Sequence, residues 1–362
     1  MMSKIHRFNS MILPRLPPAF STASGTAVKP KTAIVMLNMG GPETTDQVGD
    51  YLHRIMTDRD MIQLPVQSKL GPWIASRRTE EVKKKYSEIG GGSPILKWTN
   101  SQGSLLTQAL DQMLPESAPH KHYVAFRYVP PFTEDAFREV ERTTPANVKF
   151  SLIERWASHK LLAKVFSERI KEKLDKFDEK IRDDVLILFT AHSLPLKAVS
   201  RGDTYPHEVA STVSRTMEEL GGRNPHRLVW QSKVGPLPWL QPYTDDAIKL
   251  YAKQGVKHLI LVPVAFVNEH IETLHELDIE YCDEVAKEAG ILQIERAEAP
   301  NVHPTFIAAL ADVVAGHISN GPRISKQFLT RCPHCVSQRC LASKEFFKRL
   351  CGADQNVDKI GS

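Results

Sequence analysis

The segment Leu186-Ile187-Leu188-Phe189-Thr190-Ala191-His192-Ser193-Leu194-Pro195 is apolar from Val185 through Phe189 and then meets a histidine. It shows no alternation of polar and apolar residues. It therefore reads as a strand covered on both faces, the kind found in parallel sheets. Downstream, helical periodicity appears at 206–220, followed by a strand at 227–231 and a helix at 244–254. A strand at 258–267 precedes helices at 269–289 and 303–318. Upstream the pattern is the same. A strand at 33–38 ends in Gly40-Gly41-Pro42, and helices follow at about 45–57, 79–88 and 95–113. Then come a strand at 122–127, a helix at 134–142, a strand at 148–153 and a long helix at 157–174.

Strands alternating with helices of this length predict an α/β chain of two similar Rossmann-like domains, each a parallel sheet flanked by helices. Ligands of such sheets sit beyond the carboxyl ends of the strands. The expected division is a leader at 1–30, a first α/β domain at 31–147, a second at 148–320 and a cysteine-bearing extension at 321–362. Neither a G-x-G-x-x-G nor a Walker motif occurs.

The chain has 362 residues, 41% hydrophobic and 25% charged, which suits two globular domains and excludes a disordered or fibrous chain. No apolar run approaches the roughly 18 residues of a membrane-spanning helix. Five cysteines do not make a disulfide scaffold. The net charge of +5 owes four units to Lys4, Arg7, Arg15 and Lys29, which precede the first acid, Glu43. The remainder is close to neutral, so composition offers no case for a nucleic-acid partner. Residues 1–28 are basic and acid-free, and Ile5, Phe8 and Ile12 share one helical face; this is the composition of an organelle transit peptide.

Several residues are candidates for chemistry. His192 stands at a strand tip, where an imidazole can act as a base near neutral pH or simply cap the strand. On the helix after 258–267, Glu269, Glu272, Glu276 and Glu280 fall in one stripe, which could bind a cation, relay protons or be a solvated face. Trp156, Trp230 and Trp239 suit either a flat apolar ligand or core packing. In Gly90-Gly91-Gly92-Ser93-Pro94, Ser93 suits a helix N-cap and Pro94 the first helical position, and backbone N–H groups there can receive a carboxylate. Arg77 and Arg78 could add matching charge. The apolar stretch 56–74, with Met61, Leu70 and Trp73, reads as a lip on a membrane or cavity, or as a packed helix. Cys332, Cys335 and Cys340 form C-x₂-C-x₄-C with Cys351 beyond, a pattern for zinc or an iron–sulfur centre.

Taken together, Leu37-Asn-Met-Gly-Gly-Pro42, Ile89-Gly-Gly-Gly-Ser-Pro94, Phe126-Arg-Tyr128, Ala191-His-Ser-Leu-Pro195, Val229-Trp-Gln-Ser-Lys-Val-Gly-Pro236 and His270-Ile-Glu-Thr-Leu274 with Glu276-Leu-Asp-Ile-Glu280 resemble ferrochelatase. The resemblance runs from Lys31 over nearly the whole chain and implies a chelatase-like fold. It implies insertion of Fe²⁺ into protoporphyrin IX to give protoheme, on the matrix side of the inner mitochondrial membrane, by a peripheral homodimer. It further implies His192 and Glu272 as the catalytic pair. Met39, Arg78, Ser93, Arg127, Trp156 and Trp239 would lie around the porphyrin, and Glu276, Asp278 and Glu280 along a path for metal or protons. Cys332, Cys335 and Cys340 match ligands of the [2Fe–2S] cluster of animal members.

The resemblance is interrupted between the helix at 134–142 and the strand at 148–153, where the family carries several tens of residues and this chain has only Thr143-Thr-Pro-Ala-Asn147. A strand–helix unit of the first domain is missing, and with it the fourth cluster cysteine, for which Cys351 or Cys282 are the spare thiols. Two further readings follow. One is a catalytically impaired isoform or gene-model variant that binds porphyrin or a full-length partner without turnover. The other makes the tail an independent zinc module.

Overall fold

The computed structural model describes residues 31–62, 64–143, 148–235, 237–334 and 337–351. The expected leader at 1–30, the residues at 144–147 and Cys335 lie outside them. Two parallel sheets form. In the first, β1 (Thr32–Asn38) pairs with β2 (His120–Phe126), in register from Thr32 opposite His120 to Asn38 opposite Phe126. In the second, β3 (Leu186–His192), β4 (His226–Gln231), β5 (His258–Pro263) and β6 (Gln293–Arg296) take the order β4-β3-β5-β6.

Helices cover both sheets. In the first half they are α1 (Val48–Thr57), α2 (Gln67–Glu88), α3 (Ile95–Met113) and α4 (Thr133–Thr143). Next come α5 (Lys160–Leu174), α6 (Leu196–Ser200), α7 (Tyr205–Leu220) and α8 (Thr244–Lys253). A π-helix (Glu272–Val285) runs into α9 (Ala286–Ala289), and α10 (Pro304–Asn320), α11 (Lys326–Leu329) and α12 (Gln338–Leu350) complete the chain.

The unbroken apolar runs of β3 and β5 are explained by their two faces. Ile187, Phe189 and Ala191 of β3, with Ile260 and Val262 of β5, join Phe166, Ile170 and Phe306 in one core. Leu186, Leu188, Leu259 and Leu261 point the other way, onto Ile248, Leu277 and Tyr281. Side chains alternate along a strand, so a sheet sandwiched by helices needs apolar residues at every position. The two halves are also tied together: Leu106 and Leu110 of α3 pack on Ala311, Val314 and Ala315 of α10.

The structure corrects several expectations. Residues 148–153 are not a strand. β3 has a parallel neighbour on each side, whereas β1 has one neighbour, β2, among the described residues. Among the described residues the segment joins neither sheet. Instead the Leu152 amide donates to the carbonyl of Arg323 at 2.7 Å, and Ile153 packs near Ile34 and Leu106. Leu37 of β1 is 53% exposed. The strand from 258 stops at Pro263, and the helix expected at 79–88 begins at Gln67, taking in part of the apolar stretch. Strand β6 was not expected. Ser93 is not the helix N-cap: α3 starts at Ile95, and the Ser93 hydroxyl accepts from the Ile95 amide at 3.4 Å. The helix expected over 269–289 is a π-helix through most of its length.

Candidate active site

His192 is the last residue of β3 and lies opposite Gln231 at the tip of β4, so it stands at the carboxyl edge of the second sheet. Its Nδ1 lies 2.6 Å from the Ser193 carbonyl oxygen. A carbonyl only accepts, so Nδ1 donates its proton there and Nε2 is the ring atom left to take up or release another. The Trp239 ring is 6.3 Å away, and its buried Nε1–H has no partner among the described residues. Trp239 is carried there by a bridge between its own backbone and that of Pro195.

The facing wall is the π-helix. At its start the Glu272 carboxylate lies 3.5 Å from Nε2 of His270. Burial would raise Glu272, but the hydrogen bond from His270 and the charges of His192 and His270 outweigh it and hold the carboxyl below its usual range. His270 moves the opposite way: against burial, the bond to Glu272 raises it. Glu272 also acts on Tyr51, Tyr86 and Tyr205, whose hydroxyls are pushed up by burial and then by its negative charge. Glu272 therefore lies near residues of α1, α2, α7 and β3, with 31% of its side chain exposed.

One turn further on, Glu276 accepts from the Ser232 amide at 2.9 Å, the Gln231 side chain at 3.0 Å and the Tyr281 hydroxyl at 2.8 Å. Ser232 has φ of 62°, in the left-handed region, and this backbone strain turns its amide and hydroxyl toward Glu276. Burial raises Glu276 and the Glu272 charge adds to it, against the bonds from Ser232, Tyr281 and Gln231. Two neighbouring carboxyls are thus driven apart in affinity for a proton, the pattern that divides acid from base in active sites. Beyond Glu276 opens a cavity of about 450 Å³ lined by Ser232, Tyr243, Asp245, Asp246 and Glu280.

The wide helix shapes these contacts. Tyr281 meets Glu276, and Nδ1 of His275 lies 3.2 Å from Glu280, both at a spacing of five. In an α-helix residues five apart diverge by about 140°. In a helix bonded i to i+5 they share a face.

Other expected residues divide. Glu269 does not belong to the open stripe: it is 6% exposed and held by Arg296 at 2.7 Å and the Ala299 amide at 2.8 Å. Asp278 takes the other arm of the same guanidinium, at 2.6 and 2.7 Å. Arg296, missed in the sequence along with β6, is therefore the anchor on that side. Trp156 packs on Phe306 at 6.1 Å within the core. Arg127 points to Asp58 at 2.7 Å and Asp60 at 3.0 Å. Met39 is 41% exposed on the loop after β1. Ser93 is buried under Gly41, where an added Cβ would lie 2.7 Å from its hydroxyl, and its amide donates to the Pro42 carbonyl. Arg78 lies half-buried on α2.

A [2Fe–2S] cluster takes four protein ligands, commonly thiolates. Cys332 is half-buried and Cys340 exposed, and both are free; Cys335 lies outside the described residues. Of the spare thiols, burial pushes Cys282 up to about 12 and raises Cys351 as well. Among the described residues no three His, Cys, Asp or Glu side chains gather as a metal site. The described residues hold two of the three expected cysteine ligands, Cys332 and Cys340.

A family model for ferrochelatase matches residues 31–148 and 141–318 of the chain, in two segments that meet around the shortened connection. A Drosophila melanogaster protein named "Ferrochelatase, mitochondrial" is 58% identical over 357 residues, covering 89% of this chain and 93% of its own. Proteins of that name from Bos taurus and Homo sapiens are each 48% identical over 353 residues, covering 88% of this chain and 85% and 84% of theirs. Because 89% of 362 residues spans only about 322 positions, the Drosophila alignment holds about 35 positions with no residue here.

Proposed function

The chain belongs to the ferrochelatase family and is an enzyme of heme biosynthesis that inserts Fe²⁺ into protoporphyrin IX, and for this reaction we propose that His192 and Glu272 carry the proton chemistry. The observation that supports the reading is an imidazole whose Nδ1 is fixed on the Ser193 carbonyl, leaving Nε2 to take a proton, near a carboxylate held below its usual range.

A planar porphyrin keeps its nitrogen lone pairs in the ring plane and two of its nitrogens protonated. Bending the ring exposes the lone pairs, and rigid walls supply that strain from binding energy elsewhere on the ligand. Nε2 of His192 accepts a pyrrole proton as Fe²⁺ enters from the other side. Glu272 stabilises the resulting imidazolium. Glu276, with its raised proton affinity, takes protons onward to the acidic cavity that includes Glu280. Two protons leave and one Fe²⁺ is bound, with no change of oxidation state. Trp239 flanks the macrocycle beside His192, Met39 lines the opposite rim with Ser93 supporting the Gly41 loop beneath it, and Arg78 receives a propionate. Asp278 and Trp156 hold the walls rather than touch the ligand, as their contacts with Arg296 and Phe306 indicate. Arg127 serves the rim through Asp58 and Asp60.

The relatives' names support a mitochondrial location. On the finer placement, the exposed apolar side chains Met61, Val66, Leu70 and Trp73 suit a peripheral lip on the matrix face of the inner membrane. No helix among the described residues is long and apolar enough to cross a membrane. The reading keeps the divisions 31–147, 148–320 and 321–362 and a homodimer. Cys332, Cys335 and Cys340 are the sulfur ligands the extension would offer a cluster, and no catalytic step runs through one. Metal insertion is followed by loss of porphyrin fluorescence on adding Fe²⁺ without oxygen. His192→Ala lowering kcat at least a hundredfold supports the assignment, and unchanged kcat overturns it.

A further inference from the structure

We propose that His275 is a positioning residue that locks the carboxylate-bearing π-helix to the lip helix α2, and so fixes Glu272 and Glu276 relative to His192. The proposal rests on Glu272 being the working carboxylate.

His275 is 6% exposed and bridges two elements. Its Nε2 is 2.6 Å from Glu88 at the end of α2, and its Nδ1 is 3.2 Å from Glu280 of its own helix. Glu280 in turn meets Lys85 of α2 at 2.6 Å, and Lys84 stands 3.8 Å from Glu88. The side chains Lys85, Glu280, His275 and Glu88 form a continuous series of contacts between the helices. Next to it, Tyr86 of α2 and Ile271 before the π-helix share one apolar cluster with Tyr51.

This contact can act on the chemistry because of spacing. His275 lies three residues after Glu272 and directly before Glu276, on a segment whose side chains meet at i and i+5. A shift of that segment against α2 moves both carboxylates together, and displacements of about 1 Å at reacting groups cost about a hundredfold in rate. α2 also presents Leu70 and Trp73 at its other end. The 22-residue helix α2 therefore joins the exposed lip to the carboxylate-bearing helix.

The test compares His275→Leu, Glu88→Gln and the charge-exchanged pair Glu88→Lys with His275→Glu, using full-length protein and Zn²⁺ insertion into protoporphyrin. Thermal unfolding and porphyrin affinity by fluorescence quenching are measured beside it. Each single variant is expected to lower kcat about tenfold with KM for porphyrin changed less than twofold, and the exchanged pair to recover kcat to within about threefold. Glu88→Gln lies at the half-exposed end of the bridge and keeps the test decisive should His275→Leu not fold. Wild-type kcat in Glu88→Gln, a change confined to KM, or no recovery in the exchanged pair overturns the proposal. Glu272→Gln is run in parallel: turnover in that variant would sink the underlying reading instead.

Discussion

Glu272 and His270, two residues apart in sequence, form a 3.5 Å ion pair in which each raises the other's charged population against the cost of burial. The carboxylate's affinity for protons is lowered, so its contribution to stability is present above the ordinary glutamate pKa and lost as pH falls through the lowered value. The imidazole's is raised, so its contribution is present below the ordinary histidine pKa and lost as pH rises through the raised value. The pair therefore stabilises between those limits. Their side chains keep 31% and 18% of their surface, so screening limits the coupling to about 1 kcal/mol. A double-mutant cycle of His270→Asn and Glu272→Gln in urea is expected to show that coupling at pH 6 and lose most of it by pH 9. Equal coupling at both would remove the ion pair from the account.

Asp278 sits on the carboxylate-bearing helix, yet its oxygens face the Arg296 fork. Breaking a largely buried pair on one side leaves the other charge uncompensated and costs about 3–5 kcal/mol. Arg296→Met is expected to lower the urea midpoint strongly. Asp278→Asn is expected to lower it less, with kcat per folded molecule unchanged, measured by titrating active protein. A kcat defect in Asp278→Asn without a stability change would return this residue to the metal or proton path.

Two glycines make opposite predictions. At Gly92 an added Cβ would lie 2.0 Å from the Glu43 carbonyl oxygen, so the loops after β1 and before α3 must separate. Gly92→Ala is expected to lower Tm by several degrees and weaken porphyrin binding through Ser93. Gly316, inside α10, has no atom within 4 Å of the same position. Gly316→Ala is expected to add about 0.5–1 kcal/mol by helix propensity, read from the urea midpoint.

Trp73 is 58% exposed and Leu70 37% on the outer face of α2. If this is the membrane lip, Trp73→Glu with Leu70→Glu lowers co-sedimentation with anionic vesicles several-fold and leaves metal insertion in detergent intact. Unchanged sedimentation would assign those side chains elsewhere.

The residues that were legible in the sequence are those whose role follows from position along one element. His192 could be found because an apolar run on both faces ends at it. The glutamates could be found because they recur at helical spacing. What they do with that spacing could not be read. Glu269 and Asp278 turn to Arg296, which sits on a four-residue strand of mixed charge with no periodicity to announce it. The contacts of Tyr281 with Glu276 and of His275 with Glu280 depend on a π-helix, and propensity does not distinguish that from an α-helix. That 148–153 joins neither sheet could not be read from its own residues.

The central claim is that Glu272, charged beside His192, drives metal insertion in this chain as it stands. The most direct measurement is anaerobic Fe²⁺ insertion into protoporphyrin IX by the purified protein, compared with Glu272→Gln of matched fold and porphyrin affinity. The account predicts heme formation by the first and at least a hundredfold loss in the second. Equal rates in both, or no heme from a folded, porphyrin-binding wild-type chain, would contradict it.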